Sequence, residues 1–153
     1  MKLALSRQSY PIEVGATNGT EHYTALIRPM GHWTDWSHDS ESVHKLSRGR
    51  LQEYGLCAEI VAHELNALFG QSTIYCDAIA WDSFWARVLY SDNCIQQCFE
   101  ISDINELLCN NDTAILSYLR AKEALLNSGK FTAHRALDDA KIIWNSLPVC
   151  CRE

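Results

Sequence analysis

An α/β fold, a mixed sheet flanked by helices, follows from three observations. Residues 10–17 and 22–29 read as two strands joined at Asn18-Gly19, a strong two-residue turn signal. Residues 72–76 form a β-branched and aromatic run bounded by Gly70-Gln71 and Asp77, after which the spacing from Trp81 to Leu89 becomes helical. Helical spacing then dominates as far as Leu147. Strands first, then strands mixed with helices, give an α/β architecture. With 153 residues, 47% of them hydrophobic, and no internal repeat, low-complexity tract or linker, residues 1–153 are expected to form one domain. A chain of that size buries about two-thirds of its unfolded surface.

The elements follow in order. Pro11 confines the opening strand to an edge or places the proline at its first residue, because proline cannot donate to a ladder. From Met30 to Asp39, Trp33 and Trp36 stand among Gly, His, Asp and Ser, which predicts an irregular loop held down by its indoles and is equally compatible with a substrate loop. Residues 40–44 and 47–51 suit short helices. Residues 57–69 suit a longer amphipathic one, with Val61, Leu65, Leu68 and Phe69 on its buried face and Gly70 as the stop. His63 there reads as a solvated or structurally bonded imidazole. The run 72–76 is expected to be a buried strand. In the following helix Trp81, Phe84, Trp85, Val88 and Leu89 share a face, so Trp81 and Trp85 are expected inside. Asp77 fits an N-cap or turn, and Asp82 falls in the first turn, where the helix dipole favours a negative side chain. Residues 99–101 suit a short strand, Ser102-Asp103 a cap for a helix through Leu108, and Asn111-Asp112 a cap for residues 114–126, ended by Gly129. The last helix is expected over 133–147, with Ala136, Ala140, Ile143 and Leu147 on one face and Pro148 as its stop.

The formal charge of −6 argues against a broad basic grip on nucleic acid. It leaves room for a nuclease, since carboxylates that collect divalent cations are themselves negative and the bound ions reverse the local sign. Seven cysteines form neither a CxxC pair nor a Cys/His box, so free thiols in a reducing cytosol are expected. Cys94 and Cys98 would be neighbours only if that stretch is helical. No run of 18 apolar residues occurs, and Met1-Lys2-Leu3-Ala4-Leu5 is too short for a secretory leader, so a soluble cytoplasmic protein with no membrane partner is expected.

The chemistry is concentrated in His134-Arg135-Ala136-Leu137-Asp138-Asp139. His134 and Asp139 are five apart, not quite one helical face, and converge only if His134 lies at the helix entry. An entry histidine followed by two solvated aspartates is the plainer reading of the same residues. Together, the run Ser9-Tyr10-Pro11-Ile12-Glu13-Val14-Gly15, the Asp77 to Asp82 segment and the closing His134-x4-Asp139 resemble the DEDD-type 3′–5′ exonucleases with the histidine variant of the last motif. That superfamily has a ribonuclease-H-like fold and includes proofreading exonucleases, ribonuclease T and oligoribonuclease.

The resemblance implies hydrolysis of phosphodiesters at the 3′ end of single-stranded DNA or RNA by two ions, Mg²⁺ or Mn²⁺. It makes Asp82 and Asp139 metal carboxylates and His134 the base for the attacking water. Asp77 is assigned a supporting role, and Glu13, outside the four-acid set, a structural one. Relatives often dimerise, so a homodimer is compatible. The relatives also carry an Asp-x-Glu pair upstream of the Pro-Ile-Glu-Val-Gly run, whereas here no acidic residue precedes Glu13. The first strand is thus expected to be truncated or replaced, with residues 1–5 as a substitute, and metal binding and turnover are expected to be weak. An alternative is a non-catalytic ribonuclease-H-like module that binds nucleic acid or protein. An in-frame upstream segment encoding Asp-x-Glu would favour truncation, and an upstream stop the module. Trp33, Trp36, Trp81 and Trp85 are candidates for stacking on unpaired bases.

Overall fold

The computed structural model describes residues 8–152, a mixed α/β chain. Strands β1 (Glu13–Thr17) and β2 (His22–Arg28) form an antiparallel hairpin, with Glu13 opposite Leu26 and Thr17 opposite His22. The connection covers 18–21, longer than the two-residue turn expected. Asn18 Oδ1 accepts from the backbone N–H groups of Thr20 at 3.0 Å and Glu21 at 2.8 Å, so an Asx turn shapes it. Strand β3 (Leu56–Cys57) joins β2 in parallel, completing a three-stranded sheet of order β1-β2-β3. Strands β4 (Thr73–Cys76) and β5 (Glu100–Asp103) pair in parallel as a second sheet.

The expected single mixed sheet is therefore divided in two among the described residues, because no described strand hydrogen-bonds to both parts. The substitute strand expected from residues 1–5 lies outside the described residues. β4 is not buried on both faces as expected. Its side chains alternate, with Ile74 against the core and Tyr75 37% exposed, which is the period of a strand covered on one side.

Helices α1 (His38–His44) and α2 (Arg48–Tyr54) each start at a serine: Ser37 Oγ accepts from Ser40 N and Ser47 Oγ from Arg50 N, both at 3.2 Å. Helix α3 (Ala58–Phe69) buries Ala58, Val61, Ala62 and Leu65. Leu68, expected on that face, is 50% exposed, since the covered stripe turns away from it by the last turn. Helix α4 (Ile79–Asp92) buries Leu89 and Tyr90. Trp81 at its start is 38% exposed rather than buried, leaning on Trp85 and Phe84 at ring separations of 5.8 and 6.3 Å. Cys94 and Cys98 are not helical neighbours, because α4 ends at Asp92 and Cys94 takes a positive φ of 54°.

Helix α5 (Ile104–Leu107) is capped by Asp103 and α6 (Asp112–Asn127) by Asn111, whose Oδ1 accepts from Ala114 N at 3.0 Å. Helix α7 (Ala136–Ser146) starts three residues later than periodicity implied. Two apolar clusters hold these parts together. The larger gathers Ala25, Ile27, Val61, Ala62, Leu65, Leu89, Tyr90 and Phe99, with Ile74 and Ile101 packed against it, so both sheets share one core. The smaller gathers Ile104, Leu108, Tyr118 and Leu147. The loop after β2 is pinned by Trp33, 4% exposed, whose indole N–H donates to Asp92 at 2.6 Å and whose ring stacks on Tyr10 at 5.2 Å. Among the described residues no helix is long and apolar enough to cross a membrane.

Candidate functional site

The position of α7 is set by β1. At Gly15 a Cβ would stand 2.3 Å from the carbonyl carbon of Ala136, so only glycine lets the helix start this close to the strand. Beside it, Glu13 accepts from Arg135 Nε at 3.2 Å to each carboxylate oxygen and from Nη2 at 2.8 Å, and takes the Ala136 backbone N–H at 3.0 Å. A carboxylate reaching an otherwise orphaned N–H at a helix start acts as a cap supplied from another element. The Glu13 side chain is 8% exposed and the Arg135 side chain 36%. The hydrogen bond to Glu13, and the Glu13 charge after it, raise the pKa of Arg135 against the lowering effect of burial.

That lock explains the late start of α7 and the conformation just before it. His134 lies outside the helix, exposed, with φ of 63°, in the left-handed region. Its backbone N–H donates to Asp139 Oδ1 at 3.1 Å, and Thr132 N donates to Asp138 Oδ2 at 2.8 Å. Both aspartates therefore hold the entry loop. The His134 backbone meets Asp139 through this bond, and His134 opposes the rise that burial gives the Asp139 carboxyl.

The charge of Asp139 on α7 acts on Asp82 on α4. Burial raises the Asp82 carboxyl above its ordinary range, the Cys76 thiol beside it lowers it, and the charges of Asp77 and Asp139 raise it further. Asp139 is likewise raised, chiefly by burial; its bond from His134 and the charge of Lys122 act the other way, and Asp77 adds to the rise. Cys76 donates to the Ser102 carbonyl at 3.7 Å and lies against Asp82; burial, with Asp82 next, pushes its thiol up to about 12, so it stays protonated. Asp77 does not cap α4, whose N-cap is Ala78 without a side-chain bond. Its carboxylate instead forms an ion pair with Lys122 and accepts from the Tyr118 hydroxyl at 3.4 Å.

Sequence reasoning did not find Lys122, Tyr118 or Cys76. The spacing Tyr118-x3-Lys122 places an apolar ring and a charged stem on one face of α6, a pattern that surface helices repeat freely. No family model matches the chain, and no curated protein matches it.

The donor set can be weighed against a two-ion magnesium or manganese centre. Such ions take oxygen ligands in near-octahedral sets, part of them carboxylate. Among the described residues no three His, Cys, Asp or Glu side chains gather in an arrangement able to hold a metal ion. Asp77 is committed to Lys122, which leaves Asp82 and Asp139. These residues do not fit a two-ion centre.

Proposed function

We propose that this chain is a DEDD-type exonuclease-family domain of ribonuclease-H-like ancestry that engages the 3′ end of single-stranded DNA or RNA and hydrolyses it poorly. The observation that supports this reading is that the charge of Asp139 on α7 reaches Asp82 on α4, with Asp77 acting on both and His134 bonded through its backbone to Asp139 at the entry of α7. Burial and neighbouring charge oppose the ionisation of both carboxylates, and perturbations of that kind cluster at functional sites. Among the described residues no three His, Cys, Asp or Glu side chains gather to hold an ion, and Asp82 and Asp139 alone leave Mg²⁺ or Mn²⁺ short of protein oxygens, which supports weak turnover.

Short single-stranded RNA and DNA, each with a free or a blocked 3′ end, test the proposal in Mg²⁺ and in Mn²⁺. The expected result is preferential binding of free 3′ ends with slow mononucleotide release that disappears in Asp139→Asn and His134→Ala. Indifference to the 3′ end, in both binding and release, would overturn it. Fast turnover abolished by either substitution would keep the family and discard the impairment.

A further inference from the structure

We infer that the turn between β1 and β2 is a self-modification site, at which the Gly19 backbone nitrogen attacks the Asn18 side chain while Thr17 and His22 take up the proton released. The product is a succinimide that water opens to aspartate or isoaspartate. This activity is separate from the nuclease reading and belongs to the hairpin alone.

Asn-Gly is the step at which such a cyclisation is least hindered, because glycine has no side chain to shield its own nitrogen. The fold adds to that ease. Gly19 takes a φ of 87°, and a Cβ there would stand 2.3 Å from the Trp144 indole nitrogen, so the turn is seated against α7 and admits only glycine. The Asn18 carboxamide is held as well. Its Oδ1 accepts from the Thr20 N–H at 3.0 Å and the Glu21 N–H at 2.8 Å, while the Asn18 N–H donates to the Glu21 carbonyl at 3.3 Å. Two backbone donors on that oxygen polarise the carbon to be attacked and stand ready for the negative charge that grows there.

The proton has a path. Gly19 N–H donates to Thr17 Oγ1 at 2.9 Å, and that oxygen lies 2.7 Å from His22 Nδ1. The strand register sets Thr17 and His22 opposite each other at the end of the hairpin ladder. With Nδ1 unprotonated, the Thr17 hydroxyl donates to it and accepts from Gly19; when the hydroxyl turns to the Glu21 carbonyl, 3.1 Å away, the relay is broken.

The step needs no reactant but water. The Gly19 amide proton passes to Thr17 Oγ1 as the hydroxyl proton passes to His22 Nδ1. The nitrogen bonds to Asn18 Cγ, the Cγ–Nδ2 bond breaks, and Nδ2 leaves as ammonia with the proton that His22 returns. Water then opens the ring at either carbonyl, and the exposure of Asn18 and Gly19 gives it access.

Incubation of the full chain, native and unfolded in guanidinium chloride at one pH, tests this by mass spectrometry of the peptide that holds residue 18. The native chain is expected to form aspartate and isoaspartate roughly tenfold faster than the unfolded one, less than the hundredfold or more of a positioned base inside an enzyme because this site is open to water. Thr17→Val should remove the gain and Thr17→Ser keep it. His22→Ala should slow the step by a similar factor, with free imidazole restoring its rate and leaving Thr17→Val unchanged, a rescue that a merely structural histidine does not give. Circular dichroism shows which variants fold, and the native-against-unfolded comparison needs none of them. A native chain that reacts no faster than the unfolded one overturns the inference. Acceleration that survives both Thr17→Val and His22→Ala overturns the proton path through those two residues.

Discussion

Asp82 and Asp139 each stand above the ordinary aspartate range, first through burial and then through neighbouring charge. In the unfolded chain an aspartate titrates at about 3.9, so from that pH up to the folded value the native state binds more protons than the unfolded one. Their contribution to stability therefore falls as pH rises through the window, and the penalty is complete above the folded pKa. Asp92 has the opposite sign. The Trp33 indole first, and His32 with it, lower its pKa against the raising effect of burial, so its contribution is lost as pH falls. Comparing variants separates the two. Thermal midpoints of Asp82→Asn and the unsubstituted chain are expected to converge near pH 4, about where a free aspartate titrates. They should diverge in favour of the variant toward neutrality. A constant difference across that range would show that Asp82 carries no raised pKa. These residues were legible in the sequence as candidates, because His134-x4-Asp139 and the acidic pair after Cys76 are local patterns. Lys122 was not, since its partner Asp77 lies 45 residues away and its approach depends on where the Tyr118 ring is buried.

Among elements, the packing of α7 on β1 is the most demanding contact. Gly15→Ala would drive a methyl into the Ala136–Leu137 peptide, where neither side can yield by rotating a side chain. The expected loss is roughly 3 kcal/mol in urea denaturation, at the upper end of overpacking because the obstacle is backbone. A loss within error would mean that α7 is free to slide. Helix starts marked by caps were legible in the sequence: Asp103 and Asn111 each receive the helix N–H that such residues invite, whereas Ser47, read as part of a short helix, is the cap outside it. The start of α7 was misplaced because its first N–H is satisfied by Glu13, far away in the sequence, and no local pattern announces a cap of that kind. Likewise β4 was expected to be buried on both faces because β-branched runs fit either a one-sided or a two-sided strand, and only its neighbours decide.

At the scale of the whole molecule the two apolar clusters differ in depth. The larger holds Ile27 and Val61 at 0% exposure and is built on β2, α3 and α4, whereas the smaller joins α5, α6 and the end of α7 around Tyr118. Opening free energy follows such differences in buried apolar contact. Amide hydrogen exchange is expected to be slowest in β2 and α3, with α5 and the flank of α6 exchanging at least tenfold sooner, and uniform protection across both would show that the clusters open together. The α/β class was legible because alternation and helical spacing survive in any arrangement of the elements. The division into two sheets was not, as strand pairing is settled by partners distant along the chain. The bond between Glu13 and Arg135 has a consequence for biosynthesis. It ties residues 122 positions apart, so β1 must wait, one flank uncovered, while the chain between Glu13 and Arg135 is translated. A ribosome adds about 5–20 residues each second, which sets a delay of several seconds or more before α7 emerges to cover that flank. During that interval the nascent hairpin is the part of this protein with most need of a chaperone.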